Sequence, residues 1–308
     1  MRKPSFLLFM LLSALKTFAA GDHDTLHINQ YREFRFLYAN DVYNGTDRYL
    51  TQYVQFVLLN PFRLRKNGLV TQDEFLIQQN VYTPSDIFGD TIQKHDRPYC
   101  SVLSLELHKN MMDEKRKIQF RTGMALGVIG RHGFGEDMQR EVHYAVNSRQ
   151  ALGWKYQIHD APYINLQAGI DKAILMLRHI DYIAHADLHT GTVFNDLSIG
   201  QSIRLHLHHH YFSFFNHSRL RSFRAYAELK NNIKLVAYNG TLQGATGSRN
   251  NPYVLTQGEI SPIVSLTQIS LSCAYQRLSI TVSESFLSKE FKSGLKHKWG
   301  HITFSYLF

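Results

Sequence analysis

The sequence is short of several things, and each shortage excludes a class of protein. Beyond the N-terminal segment, no stretch reaches the roughly 18 uninterrupted apolar residues that would cross a bilayer as a helix, so a helical membrane protein is excluded. Charge is scarce too, at 19% of 308 residues, against about 25% in an ordinary soluble domain. With only two cysteines, Cys100 and Cys273, and no C-x-x-C spacing, a structural zinc site or dithiol redox motif has no support. No Pro- or Ser-rich linker, low-complexity tract or fixed-period repeat divides the chain, so one domain is expected.

Apolar residues, by contrast, make up 44% of the chain, too many for a disordered protein. The formal charge is +9, and the aromatic residues are dominated by 17 Tyr and 20 Phe. Few charges combined with many aromatics suit a surface that something other than water covers in part.

The first residues supply a compartment. Arg2 and Lys3 precede an apolar run from Phe6 to Leu15, and Thr17, Phe18, Ala19 and Ala20 lead into polar Gly21, Asp22 and His23. This layout is that of a secretory signal peptide, residues 1–20, with the mature domain spanning 21–308 outside the cytoplasm. Export leaves one disulfide between Cys100 and Cys273 open. Both equally suit small buried or lipid-side positions, because each sits in an apolar alternating stretch.

Along the mature chain the dominant period is two. At the C-terminus Ile302, Phe304, Tyr306 and Phe308 share one face of a strand, and His301, Thr303 and Ser305 the other, with Leu307 as the exception. Alternation or β-rich character recurs over residues 32–38, 49–59, 74–82, 99–107, 118–129, 161–176 (with a turn expected inside), 183–188, 197–207, 223–238, 263–275 and 278–286. Strands of this kind, separated by polar turns, point to an all-β transmembrane antiparallel barrel of roughly ten to fourteen strands. A soluble β-sandwich alternates as well, but low charge, export and aromatic content speak against it.

Residues 136–149 break the rhythm. They contain no Gly or Pro and place Met138, Val142 and Ala145 at helical spacing after the glycine-rich turn 130–135, so a short inserted helix is expected. Gln139 and His143 are four residues apart on one face of it, beside an apolar stripe that can pack on the barrel wall. A neutral imidazole there suits a general base for water, and the amide could orient its partner. An incidental histidine on a surface helix fits the same spacing. The segment from Tyr38 to Gln52 groups carboxylate, amide and hydroxyl oxygens around an Asn-Gly turn. It suits either a polar hairpin loop or a hard-cation site of the kind calcium accepts.

Taken in order, Asn40-Asp41, Asn44-Gly45-Thr46-Asp47-Arg48-Tyr49, Thr51, Tyr82-Thr83-Pro84, Asp96-Arg97-Pro98-Tyr99, Gly127-Val128-Ile129-Gly130, Gly135-Glu136, Gln139-x-x-x-His143, Gly153-Trp154 and Gln157 resemble the lipid A 3′-O-deacylase family of Gram-negative outer membranes. Past that stretch the likeness is carried by Leu242-Gln243-Gly244, Glu290-Phe291 and the terminal Phe308. The resemblance implies a barrel of about twelve strands with its site between the wall and the inserted helix. It also implies calcium-dependent hydrolysis of the ester that holds acyl chains at the 3′ position of lipid A. Carried over by motif, His143 activates water, Gln139 assists it, and Asn40, Asp41 and Thr51 build the calcium and oxyanion region, with Asp41 first among them as a metal ligand. Lipid A, outer-membrane lipids and a monomeric state are implied as well.

Departures from the family pattern are Gly130-Arg131 in place of Gly-Pro, and Cys100-Ser101 after Asp-Arg-Pro-Tyr. The family's supporting lysine position falls on Phe88 or Gly89, with Lys94 as a shifted candidate, and an acidic residue beyond the helix histidine has no clear match. His206, His208 and His210 would share a strand face with Arg204 and could bind a transition metal, but with nothing acidic beside them in sequence they read as lumen-side or loop residues at a strand end. The lysines of 289–298 read as a solvated loop that could meet lipid phosphates. Nucleic acid is not an expected partner for an exported β-rich chain with no binding motif. Two other functions compete: a catalytically silent binding or pore barrel, and a phospholipase-type barrel. The second is disfavoured because no serine has an evident histidine partner in the motifs.

Overall fold

The computed structural model describes residues 31–41, 45–65, 68–208, 210–212 and 222–308, and the backbone of 25–27. The signal segment 1–20 and residues 42–44 of the polar constellation lie outside the described residues. Two three-residue strands, β1 (Thr25–His27) and β4 (Arg63–Arg65), form a small extension. The barrel strands of the first half are β2 (Glu33–Asn40), β3 (Tyr49–Leu59), β5 (Val70–Thr83), β6 (Cys100–Asp113), β7 (Ile118–Ile129) and β8 (Ala161–Met176). Those of the second half are β9 (Ile180–Gly191), β10 (Phe194–Leu207), β11 (Arg224–Asn239), β12 (Ile263–Tyr275), β13 (Leu278–Leu287) and β14 (His297–Leu307).

All pairings are antiparallel, β14 bonds to β2, and the β5–β6 ladder from Val70–Met112 to Tyr82–Cys100 completes a closed ring of twelve strands. Closure removes the unpaired edges that hydrocarbon does not tolerate. Alternation then sorts the side chains. On β10, Leu197, Ile199, Ile203 and Leu205 face outward and exposed, while Asp196, Ser198, Ser202 and His206 are buried in the lumen wall. On β14, Phe304 and Tyr306 stand on the outer wall, and His301, Thr303, Ser305 and Leu307 line a lumen cavity of about 530 Å³. Exposed Phe34, Phe56, Phe75, Phe120, Tyr275 and Tyr306 gather near one rim, as an interfacial aromatic girdle does.

The two rims differ. Short turns such as 114–117, 177–179 and 276–277 lie at the girdled end with the chain terminus, and the segments 84–99, 130–160 and 240–262 cross the opposite end. The turn expected within 161–176 does not exist: β8 is one continuous strand. Its turn-like Gly169 and Asp171 face the lumen, where fully buried Asp171 is held by Arg121 and by His185 Nδ1 at 2.6 Å. Cys100 is buried in the core, whereas Cys273 is exposed on the outer wall near the far end of β12, and both are free thiols.

The sorting of faces is testable. Ile199 lies mid-strand on the outer wall, so Ile199→Arg is expected to destabilise the barrel in lipid vesicles by about 2–4 kcal/mol in urea unfolding.

Candidate active site

At the loop-rich end, helix α1 (Gly135–Ala145) crosses from β7 toward β8. Glu136 and Asp137 in its first turn complement the helix dipole. The preceding glycines are seats rather than a flexible hinge. A Cβ on Gly135 would lie 2.6 Å from Ser101 Cβ and 2.7 Å from the Trp154 ring, and one on Gly133 would strike the backbone of Ser101. Gln79 of β5 donates to the Gly133 carbonyl at 2.7 Å, and Ser101 Oγ to that of Gly130 at 2.7 Å, which fixes the helix start against the wall. Ser101, the second residue of the Cys100-Ser101 departure from the family pattern, therefore forms part of the helix seat.

The helix is shorter than residues 136–149, and its orientation differs from expectation. The buried face carries Gly135, Gln139 and His143, whereas Met138 and Val142 are half-buried and Ala145 is exposed. The polar pair faces inward because both side chains have partners there. The apolar flank, with Phe134, Tyr144 and Val146, is left outward on the side where lipid would lie.

His143 Nδ1 donates to the carbonyl of Arg149 at 2.7 Å, which leaves Nε2 facing Asp47 Oδ2 at 3.0 Å. Gln139 donates to Asp47 Oδ1 at 3.3 Å and accepts from the Trp154 indole at 2.7 Å. Burial raises the Asp47 carboxyl above its ordinary range, against the pull of His143 beside it. With Nδ1 spent on the Arg149 carbonyl, Nε2 is the ring atom that can take a proton from a water placed against it, and the Asp47 carboxylate beside it favours the charge that results.

Thr51 stands at a β-bulge, where the register with β5 shifts between Leu50 and Gln52. Bulges re-aim side chains in this way. Its hydroxyl lies 2.6 Å from that of Thr83, both fully or nearly buried, and interacts with Asp47. Asp41 lies at the end of β2 with no exposed surface. One of its oxygens accepts from Thr46 Oγ1 at 2.9 Å and from the amide of Arg48 at 2.8 Å, while Oδ1 is buried with no hydrogen-bond partner among the described residues. Burial pushes its carboxyl up to about 7. Neighbouring Asn40 is buried with its amide on the Tyr38 hydroxyl at 3.1 Å.

The structure therefore gathers His143, Gln139 and Thr51 around Asp47, and holds Asn40 and Asp41 in the same β2–β3 turn. Asp47 and Thr83 stand within the sequence motifs but had no role there. The acidic neighbour of the helix histidine is Asp47 of this turn, 96 residues before it in the chain. Lys94 sits exposed, and Phe88 packs under Arg149, whose guanidinium lies 4.9 Å from the ring centre. The motif Asp96-Arg97-Pro98-Tyr99 serves structure: fully buried Arg97 binds Glu290 at 2.6 Å and Thr241 at 3.1 Å and lies over Tyr82. It thereby clasps three loops.

Two further readings change. Ser202 Oγ, His185 and Asp171 do form a serine–histidine–aspartate chain, 2.9 Å and 2.6 Å long, which neighbouring lumen-facing strands assemble and sequence spacing hides. Ser202 is 1% exposed, so no ester reaches its hydroxyl. The histidines after Arg204 do have an acidic neighbour, Asp181 from β9, and the strand ends at Leu207, so His208 does not share their face.

A closed barrel with an apolar outer wall and a buried acid–base pair among the loops of one rim defines a transmembrane barrel with a built site. The chain belongs to the family described as outer membrane protein LpxR, whose pattern matches residues 6–308. Among solved structures it is similar to LpxR from Salmonella typhimurium, with a TM-score of 0.75 and 17% identity over 90% of this chain and 100% of that one. It is more distantly similar to an outer membrane channel from Pseudomonas putida F1 (TM-score 0.45, 10% identity, 94% and 99% covered). The translocator domain of the autotransporter NalP from Neisseria meningitidis also matches (TM-score 0.41, 9% identity, 97% and 94% covered). No curated protein matches the chain. It is an outer membrane protein, and because such barrels carry their longer loops outside, the rim with α1 faces outward.

Asp41 gives a signed pH effect. Its folded value of about 7 lies above the ordinary 3.8, so its contribution to stability is complete below about pH 4 and is lost as pH rises through 7. Without added cations, thermal unfolding in detergent should show lower stability at pH 8 than at pH 6. Asp41→Asn should flatten that part of the profile.

Proposed function

We propose that this protein is an outer-membrane lipid A deacylase that hydrolyses the ester-linked acyl chain at the 3′ position, with calcium in its site and water as the attacking group. The mature chain would begin near Gly21, after a signal peptide is removed. The observation that carries the reading is the chain Trp154–Gln139–Asp47–His143 at the outward rim, where lipid A would lie.

The ester chemistry follows from these groups. A water held against the His143–Asp47 pair gives up a proton to it as its oxygen adds to the ester carbonyl. The tetrahedral intermediate then breaks the bond to the sugar oxygen, and the proton returns from the pair to that oxygen. Free fatty acid and the 3′ hydroxyl result, so atoms balance without a nucleophilic serine. Trp154 and Gln139 hold the Asp47 carboxylate in place, and the Thr83–Thr51 hydroxyl pair borders it.

Asp41 fits a hard cation: a buried carboxylate with one unpartnered oxygen, beside the hydroxyl of Thr46, is the donor type calcium takes. Asp41 would hold the ion, with Asn40 and Thr51 as the other oxygen donors proposed. When bound, calcium supplies positive charge for the developing oxyanion. Two surfaces suit the substrate. Phe134, Tyr144 and Val146 offer apolar contact for acyl chains, and a 360 Å³ cleft beside Thr46 combines Arg48, Lys296 and Lys298 with Phe286 and Leu287, a mixture matched to a phosphorylated lipid.

Purified barrel in detergent with lipid A and calcium should release fatty acid from the 3′ position. His143→Ala should lower that rate by about 10²–10⁴-fold while the protein keeps heat-modifiable gel mobility. Release by the His143→Ala variant at the unaltered rate, or cleavage of glycerophospholipid instead of lipid A, would contradict the reading. Gly135→Ala should displace α1 from its seat and cost roughly 10- to 100-fold in rate. Calcium affinity should fall as pH drops below about 7, since Asp41 must lose its proton to bind. Calorimetric titration at pH 6 and pH 8 measures this directly.

A further inference from the structure

At the opposite, turn-rich rim, three side chains that the deacylase reading does not use converge. Asp181 is the second residue of β9, His206 the last but one of β10, and His210 follows β10; their ligand atoms all lie within 4.8 Å of one another. His210 Nδ1 is 2.9 Å from Asp181 Oδ1, and His206 Nε2 is 3.5 Å from the same oxygen. The two imidazole rings stand 4.0 Å apart between centres. A tetrahedral ion with bonds of about 2.0–2.1 Å places its ligand atoms roughly 3.3–3.4 Å apart, which is the scale of this cluster.

The independent sign is His206. Its side chain is 1% exposed, and among the described residues neither ring nitrogen has a hydrogen-bond partner, a state shared only with His297 of the other rim among the buried imidazoles. A lumen-facing imidazole with both nitrogens unsatisfied is rare, because buried polar atoms are normally paired. The surroundings of the cluster are also those of a held ligand. The amide of Tyr211 donates to Asp181 Oδ2 at 2.7 Å, which fixes the carboxylate and leaves Oδ1 turned to the histidines, as outer partners of metal ligands do. Tyr211 is itself tied to Asp171 at 2.9 Å through its hydroxyl. His179, the nearest further imidazole, spends its Nδ1 on the carbonyl of His206 at 3.2 Å.

We propose that Asp181, His206 and His210 form a second metal site, specific for a borderline-soft divalent ion such as Zn²⁺ and distinct from the hard-cation site at the outward rim. Two imidazoles and one carboxylate are the donor set that selects zinc over calcium. Water fills the fourth position. His210 and Tyr211 border the 530 Å³ lumen cavity, which gives the ion a path in. The ion bridges β9, β10 and the segment that leaves β10, so it acts as a clip on the rim rather than as a participant in ester hydrolysis.

The test is a Zn²⁺ titration of the untagged mature chain in detergent, with calcium in excess. Bound metal is counted by mass spectrometry after desalting, and Co²⁺ is substituted to read its visible bands. The expected result is one equivalent of zinc with tetrahedral Co²⁺ bands. His206→Ala and His210→Ala should each weaken binding at least ~10-fold, and His143→Ala should leave it unchanged. His210 lies outside the strands and is half-exposed, so its variant decides the matter should His206→Ala fail to show heat-modifiable mobility. Absence of zinc binding, equal affinity in the His210 variant, or loss of the ion in His143→Ala would each overturn the proposal.

Discussion

A peptide group in hydrocarbon has no water to bond with, and everything else in this molecule depends on that constraint. It closes twelve strands into a ring, which in turn forces each strand to send alternate residues to lipid and to lumen. The outer positions are thereby claimed by Leu, Ile, Val and Phe, and chemistry can only be built from lumen positions and from loops. Both uses are visible. Lumen residues form ion pairs such as Arg204 with Glu228 and Arg121 with Asp171 and Asp187, and the loops carry the acid–base pair.

Loops alone would hold such a pair poorly, and the outward rim is accordingly packed like a small core. Arg97 clasps loops from three different connections, and Tyr49, Leu242, Leu255, Ile260 and Phe291 bury one another beneath it. On the other side Tyr99 and Trp154 pack with ring centres 4.9 Å apart, and the same Trp154 carries the hydrogen bond that orients Gln139. Packing and the geometry of the proposed site are thus one network: the indole that fills the rim core also sets the amide that holds Asp47. Preorganisation of this kind is what the proposed hydrolysis would draw on.

The barrel was legible in the sequence because alternation is a local signal repeated along every strand. The terminal run from His301 to Phe308 fell as read, including Leu307 on the lumen side. The helix was legible from its spacing, and Gln139 and His143 from their shared face. What sequence did not show was direction. The apolar stripe of α1 was expected against the wall, yet the polar face turned inward, because hydrogen bonds to Asp47 and the Arg149 carbonyl and from Trp154 outweigh the burial of Met138 and Val142. Partners distant in sequence were hidden for the same reason. Asp47 meets His143, Asp181 meets His206, and Ser202 meets His185 only once strands lie side by side. Of the 130–135 glycines, Gly133 and Gly135 are points of close contact, while Gly130 adopts a positive φ of 111° that favours glycine.

The proposed activity removes an acyl chain from lipid A at the outward rim of this barrel, and mass spectra of lipid A from Gram-negative cells with and without the protein measure it. Expression should remove the mass of the 3′-linked acyl group while the glycerophospholipids stay intact. An unchanged lipid A profile in cells whose outer membranes contain the folded barrel would contradict it.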